Sequence, residues 1–189
     1  MKKTIVFLLI AILSLSLTGC RNSEYYPDQD LRYEGDTVDG NREGTGTIYF
    51  ENGNVLYEGQ WEDDKYNGQG KVYYEDGTLR YEGQWKDNEM HGQGTVYSEE
   101  GNLVYEGEWV NDRMEGFGRM YYPNGQLMYE GELVKGKMEG EGAFYYESGQ
   151  LMYEGGFLRN NLHGQGVLYY ENGNLRHEGS FNHGEIGRR

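Results

Sequence analysis

The chain has 189 residues, of which 32 are acidic and 17 basic, for a net charge of −15. That acidic excess argues against nucleic acid or an anionic membrane face as partner, because Lys and Arg neutralising phosphate supply much of the affinity for both. Hydrophobic residues are 36% of the chain, yet 19 residues are Tyr and 31 are Gly. This argues against a conventional two-layer core, and the regular placing of the aromatics argues against disorder.

At the N-terminus, Lys2 and Lys3 precede an unbroken apolar run from Ile5 to Leu13. The run is too short to cross a bilayer as a helix, which takes about twenty residues. A basic start, a short apolar stretch and a small-residue exit describe a secretory signal. The exit, Leu17-Thr18-Gly19-Cys20, resembles the lipobox of bacterial lipoproteins. That resemblance implies cleavage before Cys20, lipid on its thiol, and a mature chain held on the extracytoplasmic side of the cell membrane or outer membrane. The plainer alternative is an ordinary signal peptide with an incidental cysteine. Cys20 is the single cysteine of the chain, so no intramolecular disulfide forms, and acylation accounts for a lone thiol in an exported protein. Several acyl chains on one residue anchor stably where one is marginal. The expected organisation is a signal peptide over 1–19, a lipid-anchored tether over 20–30 and a repeat array over 31–187. Residues 21–30 fit no column of the repeat.

From residue 33 the phrase Tyr-Glu-Gly recurs every 24 residues, at 33, 57, 81, 105, 129 and 153, and His177-Glu178-Gly179 continues it. Periods of this size signify stacked supersecondary units. Numbering each unit from its Tyr as column 1, column 5 reads Thr37, Trp61, Trp85, Trp109, Leu133, Phe157 and Phe181. Columns 12 and 14 are Gly in six units, from Gly44 and Gly46 to Gly164 and Gly166. Column 17 is Tyr and column 21 Gly throughout.

Columns 20–21, such as Asn52-Gly53 and Asp76-Gly77, carry the strongest short-range hairpin signal, because a type I′ turn needs positive φ at both central residues. A second two-residue turn is expected at columns 8–9, such as Asp64-Lys65 and Asn88-Glu89. Both turns impose one register, in which column 5 faces 12, column 3 faces 14 and column 1 faces 16. A one-residue slip would turn every side chain over. The expected fold is all-β: an elongated single-layer antiparallel meander of 24-residue β-hairpin repeats, with six full repeats and a partial seventh. At a strand spacing of roughly 4.8 Å, each repeat advances roughly 9.6 Å, and thirteen strands extend on the order of 60 Å. Twist coils such a ribbon.

One face then carries column 5 opposite Gly, with Tyr at column 1 opposite an apolar residue at column 16. A ring lying over bare glycine backbone lets a single layer bury apolar area. The other face carries Glu at column 2 in all seven units, Gln or Glu at column 4 in most, and the column 17 tyrosines.

Tyr57-Glu58-Gly59-Gln60-Trp61 followed by Asn67-Gly68-Gln69-Gly70, and again Tyr81-Glu82-Gly83-Gln84-Trp85 with His91-Gly92-Gln93-Gly94, resemble the MORN repeat, and the linking Tyr-Tyr-Glu-Asp/Asn-Gly-x-Leu resembles its bacterial variant. The resemblance covers about residues 31 to 187. It implies an elongated antiparallel sheet that acts as a scaffold or protein-interaction module, sometimes with self-association. The basic residues invoked for lipid binding in that family are not matched, and there is no room for the kinase or methyltransferase domains of some relatives. Thr37, Leu133 and Ser98 depart from the pattern, and their units are expected to be looser.

For chemistry, the four histidines (His91, His163, His177 and His183) are dispersed and read as exposed strand or turn residues. The column 2 carboxylates recur about every 9.6 Å on an open sheet, at or beyond inverting-glycosidase separations of about 6.5–9.5 Å, with nothing to raise one pKa. No metal-ligating set emerges: the acidic turn Glu62-Asp63-Asp64 does not show the six to eight oxygens of a Ca²⁺ site. No enzyme, cofactor or catalytic residue is expected. Candidate binding residues are Tyr73, Tyr97, Tyr121, Tyr145 and Tyr169 with Glu82, Glu106 and Glu130 on the same face; Cys20 is the lipidation residue. The leading expectation is an extracytoplasmic scaffold for an unidentified protein partner, with self-association through terminal strands as a further expectation. An envelope glycan-binding protein using the aromatic rows is the alternative, and an antitoxin or immunity protein a third.

Overall fold

The computed structural model describes residues 20–27 and 31–187. The expected signal peptide over 1–19 lies outside them. Fifteen antiparallel strands form one sheet in strict chain order. After β1 (Cys20–Tyr25), strands of eight residues are β2 (Leu31–Val38), β4 (Val55–Glu62), β6 (Leu79–Lys86), β8 (Leu103–Val110), β10 (Leu127–Val134), β12 (Leu151–Leu158) and β14 (Leu175–Asn182). Between them run strands of nine: β3 (Asn41–Tyr49), β5 (Lys65–Tyr73), β7 (Glu89–Tyr97), β9 (Arg113–Tyr121), β11 (Lys137–Tyr145) and β13 (Asn161–Tyr169). β15 is the pair Glu185–Ile186. The all-β single-layer meander with a 24-residue period is the observed fold.

The central register is the expected one: Tyr57 faces Val72 and Gly59 faces Gly70. Nearer the turn it changes. Trp61 faces Tyr66 within its own hairpin and Gly44 across the other edge, so column 5 meets column 12 on one edge only. The two surplus residues are taken up in a bulge at column 12, where Gly68 has φ +81°. The turn therefore falls at columns 7–8, one residue earlier than expected, and it is here that both residues have positive φ: Asp63 at 47° and Asp64 at 63°, Asp87 at 52° and Asn88 at 70°. These values are the type I′ signature. At columns 19–21, where the Asn-Gly signal predicted that turn, the loop has three residues. Phe50 N–H donates to Asn54 O (2.8 Å), Gly53 N–H donates to Phe50 O (3.0 Å), and only the glycine has positive φ. The Asn52 side chain instead accepts from Asn54 N–H at 2.9 Å, an Asx bond that a neighbouring glycine makes easy to satisfy.

The core is a line of rings on one face. Tyr33, Tyr57, Tyr129 and Tyr153 are fully buried. Each column 1 ring lies over the column 3 and 14 glycines, and a Cβ on Gly70 would stand 2.4 Å from Tyr57 Oη. At the column 3 and 14 glycines the lid over bare backbone is the phenol, whose hydroxyl donates to the column 4 carbonyl (Tyr57 to Gln60 O, 2.7 Å). Trp61 stands edge-on between two such phenols, 5.5 Å from Tyr33 and 5.2 Å from Tyr57, and its Nε1 donates to Gly46 O at 3.0 Å.

Thr37 and Leu133 do not loosen their units: both are buried. Arg42, at column 10 where later units carry Tyr, Met, Leu or Ile, places its guanidinium 4.8 Å from the Tyr33 ring and 5.1 Å from Trp61. His91, His163 and His177 are half-buried rather than exposed.

Part of the stretch expected as a tether is a strand that pairs in the repeat's register. Residues 20–25 form β1, pairing Asn22 with Gly35 and Glu24 with Tyr33, which are the 14↔3 and 16↔1 pairs of every other unit. Tyr25-Tyr26-Pro27-Asp28-Gln29-Asp30-Leu31 parallels Tyr121-Tyr122-Pro123-Asn124-Gly125-Gln126-Leu127. Tyr26 donates to Tyr49 O at 2.9 Å as Tyr122 does to Tyr145 O at 2.8 Å. Residues 20–32 are columns 12–24 of a unit preceding the first.

A polar trough on the glutamate face

Columns 2, 4 and 6 of the eight-residue strands and columns 13, 15 and 17 of the nine-residue strands project from the face opposite the rings. Across the first four units they line a trough of about 970 Å³, with Glu58, Gln69, Lys71, Glu82, Gln93 and Glu106 along its length and Phe117, half exposed, near its end.

Of the candidate residues, the structure brings the tyrosines and glutamates together in pairs. Tyr73 donates to Glu58 Oε1 (2.5 Å), Tyr97 to Glu82 (3.2 Å), Tyr121 to Glu106 (2.7 Å) and Tyr145 to Glu130 (2.9 Å). Tyr169 makes no such bond among the described residues. All five rings are half-buried. Burial first, and then the hydrogen bond to the carboxylate, pushes Tyr121 and Tyr145 up to about 12, because both disfavour a phenolate. Tyr97 is raised by burial and then by the Glu82 charge. The tyrosine row is therefore a brace for the glutamates. It is not an open stacking platform.

Two cations at column 15, Lys71 and Arg119, stand beside the glutamates, with Thr47 and Thr95 at that column in the alternate units. Arg119 bridges Glu106 and Glu130, each at 3.3 Å, and Lys71 lies 3.7 Å from Glu82. These pairs are half exposed, so water screens them and each adds little stability. Beyond Arg119 the column becomes Ala143 and Val167, so the charged lattice belongs to the N-terminal half of the array.

Sequence reasoning missed the role of column 4. Gln60 Oε1 accepts from Gln69 N–H at 2.7 Å and Asp36 Oδ2 from Thr45 N–H at 3.1 Å, closing the column 12 bulge over a glycine at which an added Cβ would collide with the column 4 side chain. The joint recurrence of Gln, Glu or Asp at column 4 with Gly at column 12 was the available signal.

Comparison with protein families matches the MORN repeat to residues 57–79, 81–103, 105–127, 129–151 and 153–175, and a MORN repeat variant to residues 42–63. The chain belongs to the MORN-repeat family. Each of the five MORN-repeat matches runs from column 1 to column 23 of its unit, and the variant match runs from column 10 to column 7 of the next unit. Comparison with curated proteins gives no match. MORN arrays are repeat scaffolds for protein or membrane interactions, and this array carries its scaffold as one sheet with two chemically distinct faces.

Proposed function

We propose that this MORN array is a non-catalytic scaffold that docks a protein partner through the glutamate-face trough, and that it does so outside the cytoplasm on a lipid anchor at Cys20. The observation carrying the docking surface is the trough itself: a continuous polar channel whose carboxylates are held at fixed positions by tyrosine hydroxyls and recur at one interval. Its lining is acidic in excess, with Glu34, Asp36, Glu58, Glu82, Glu106 and Glu108 against Arg21, Lys71 and Arg119. Complementary potential favours a cationic polypeptide segment and gives the encounter its specificity. The glycan reading draws no support from the tyrosine row, whose rings are half-buried and whose hydroxyls, in four of five cases, are already bonded to glutamate.

Photo-cross-linkers at Gln69 and Gln93 in the trough, with Asn102 and Gln126 on the turns as controls, test the docking face in cells. Adducts from the trough positions alone, mapping to a basic peptide and lost at high salt, are expected. Equal adducts from the turn positions, or an acidic cross-linked peptide, would contradict the reading. The anchor rests on Lys2, Lys3, the apolar run and the Leu17-Thr18-Gly19-Cys20 exit. Mass spectrometry of the membrane-extracted protein should find a chain beginning at acylated Cys20, and Cys20→Ala should abolish the acylation. An unmodified Cys20 would remove this part of the proposal.

A further inference from the structure

The trough on the glutamate face ends at a side chain that breaks its own column. Column 13 reads Arg21, Thr45, Gln69 and Gln93 along the trough and Glu141 and Gln165 beyond it, whereas Phe117 is apolar. β9 supplies the last lining residues, Phe117 and Arg119. A single exposed apolar side chain is ordinary on a protein surface. Phe117 does not stand singly. It is 50% exposed, and Val110 at 44% and Val134 at 47%, the closing residues of β8 and β10, project from the same face on either side of β9. Phe117 faces Glu132 across β9 and β10, which makes Val134 its diagonal neighbour, within reach of an aromatic ring.

The charges around this patch decide what can cover it. Beside the ring stand Glu108 and Glu132, both exposed. Their carboxylates are folded over the column 12 bulges: Glu108 Oε2 lies 2.5 Å from where a Cβ on Gly116 would stand, and Glu132 lies over Gly140 in the same way. Neither carboxylate joins an ion pair among the described residues. Arg119, whose guanidinium carbon lies 5.8 Å from the Phe117 ring centroid, is already shared between Glu106 and Glu130. On the turn side, Arg113 faces Val110 and Lys137 faces Val134. A wholly apolar cover would take Glu108 and Glu132 out of water without a counter-charge, which is costly. A segment with Lys or Arg next to an apolar side chain satisfies ring and carboxylates together, its cations lying away from the turns.

We propose that Phe117 is an apolar seat that ends the docking trough and fixes how the partner lies in it. The partner's basic stretch finishes, at one of its ends, on an aliphatic or aromatic side chain packed against Phe117 and Val134, with the adjoining Lys or Arg at Glu108 and Glu132. This rests on the trough being the docking surface and adds a second requirement to it. Carboxylates recurring at one interval accept a basic segment in either direction, and in any register one period apart. A seat present in one unit removes that degeneracy.

The probes are three synthetic peptides with Lys at every third position: one with Ser at all other positions, one with Phe in place of its first Ser, and one with Phe in place of its last. Titration calorimetry with the full chain should show one Phe peptide binding about tenfold more tightly than the Ser peptide, equivalent to removing on the order of 60 Å² of apolar surface from water. The other Phe peptide should show no gain. Phe117→Gln, which supplies the residue found at Gln69, Gln93 and Gln165, should abolish the difference between the peptides while the far-ultraviolet circular dichroism matches that of the unsubstituted chain. Gln93→Phe combined with Phe117→Gln moves the seat by one unit, and should transfer the gain to a peptide whose Phe stands about three residues further in. Equal binding of the three peptides, an equal gain from both Phe peptides, or a gain that survives Phe117→Gln overturns the seat and leaves the trough reading intact. Failure of all three peptides to bind overturns the trough reading and the seat together.

Discussion

Tyr57 shows how one layer can hold itself up. Its ring occupies the volume that Cβ atoms on Gly59 and Gly70 would need, its hydroxyl closes on Gln60 O, and Trp61 and Trp85 stand edge-on at 5.2 and 6.0 Å. Such ring pairs add about 0.5–1.5 kcal/mol beyond the area they bury. Gly70→Ala should therefore cost about 1–3 kcal/mol through overpacking, read from urea unfolding midpoints. Tyr57→Phe, which removes only the hydroxyl, should cost about 0.5–1.5 kcal/mol; a neutral Gly70→Ala would mean that the ring is not seated on the glycine. The tyrosines also set an alkaline limit. A phenol raised from 10 to about 12, as at Tyr121 and Tyr145, contributes stability that is complete below pH 10 and lost as pH rises towards 12. Absorbance titration at 295 nm should show delayed phenolate formation, with loss of the β-sheet signal in the same window.

The hairpin is the element on which sequence and structure agree most and differ most instructively. The 24-residue period and the central 1↔16 and 3↔14 register were legible because tight turns, glycine columns and aromatic columns all repeat in step. The turn type was not. Asn-Gly implied positive φ at columns 20–21, yet the αL pair sits on Asp63-Asp64 and Asp87-Asn88, where the side chain at column 8 also receives the N–H of column 10 in the preceding unit, as in Asn88 Oδ1 to Tyr66 N at 2.8 Å. That inter-hairpin bond is invisible to a reading of one turn at a time. The same blindness hid β1, whose columns 12 and 14 hold Cys20 and Asn22 in place of glycine. Asn88→Ala loses both the αL tolerance and the acceptor, and should cost about 1–2 kcal/mol. Asn88→Gly keeps the first and should cost less. Equal costs in thermal or urea unfolding would place the whole effect in the hydrogen bond.

At the scale of the molecule, the two faces divide the work. The ring face supplies cohesion between neighbouring units, and the glutamate face carries the tyrosine–glutamate pairs and the trough. The candidate tyrosines and glutamates lie on one face, as strand alternation implied, but their mutual bonding followed from the register, and of them Glu82 and Glu106 line the trough. Carboxylates recurring about every 9.6 Å match every third residue of an extended peptide at about 3.3 Å each. The direct measurement is binding of a synthetic peptide with Lys at every third position, against an isomer of the same composition with its lysines clustered, by titration calorimetry at low and high salt. The spaced peptide should bind more tightly, lose affinity with salt, and be rejected by Gln69→Lys/Gln93→Lys but not by Asn102→Lys/Gln126→Lys. Equal binding of the two peptides, or indifference to charge placed in the trough, would contradict the assignment of this face as the docking surface.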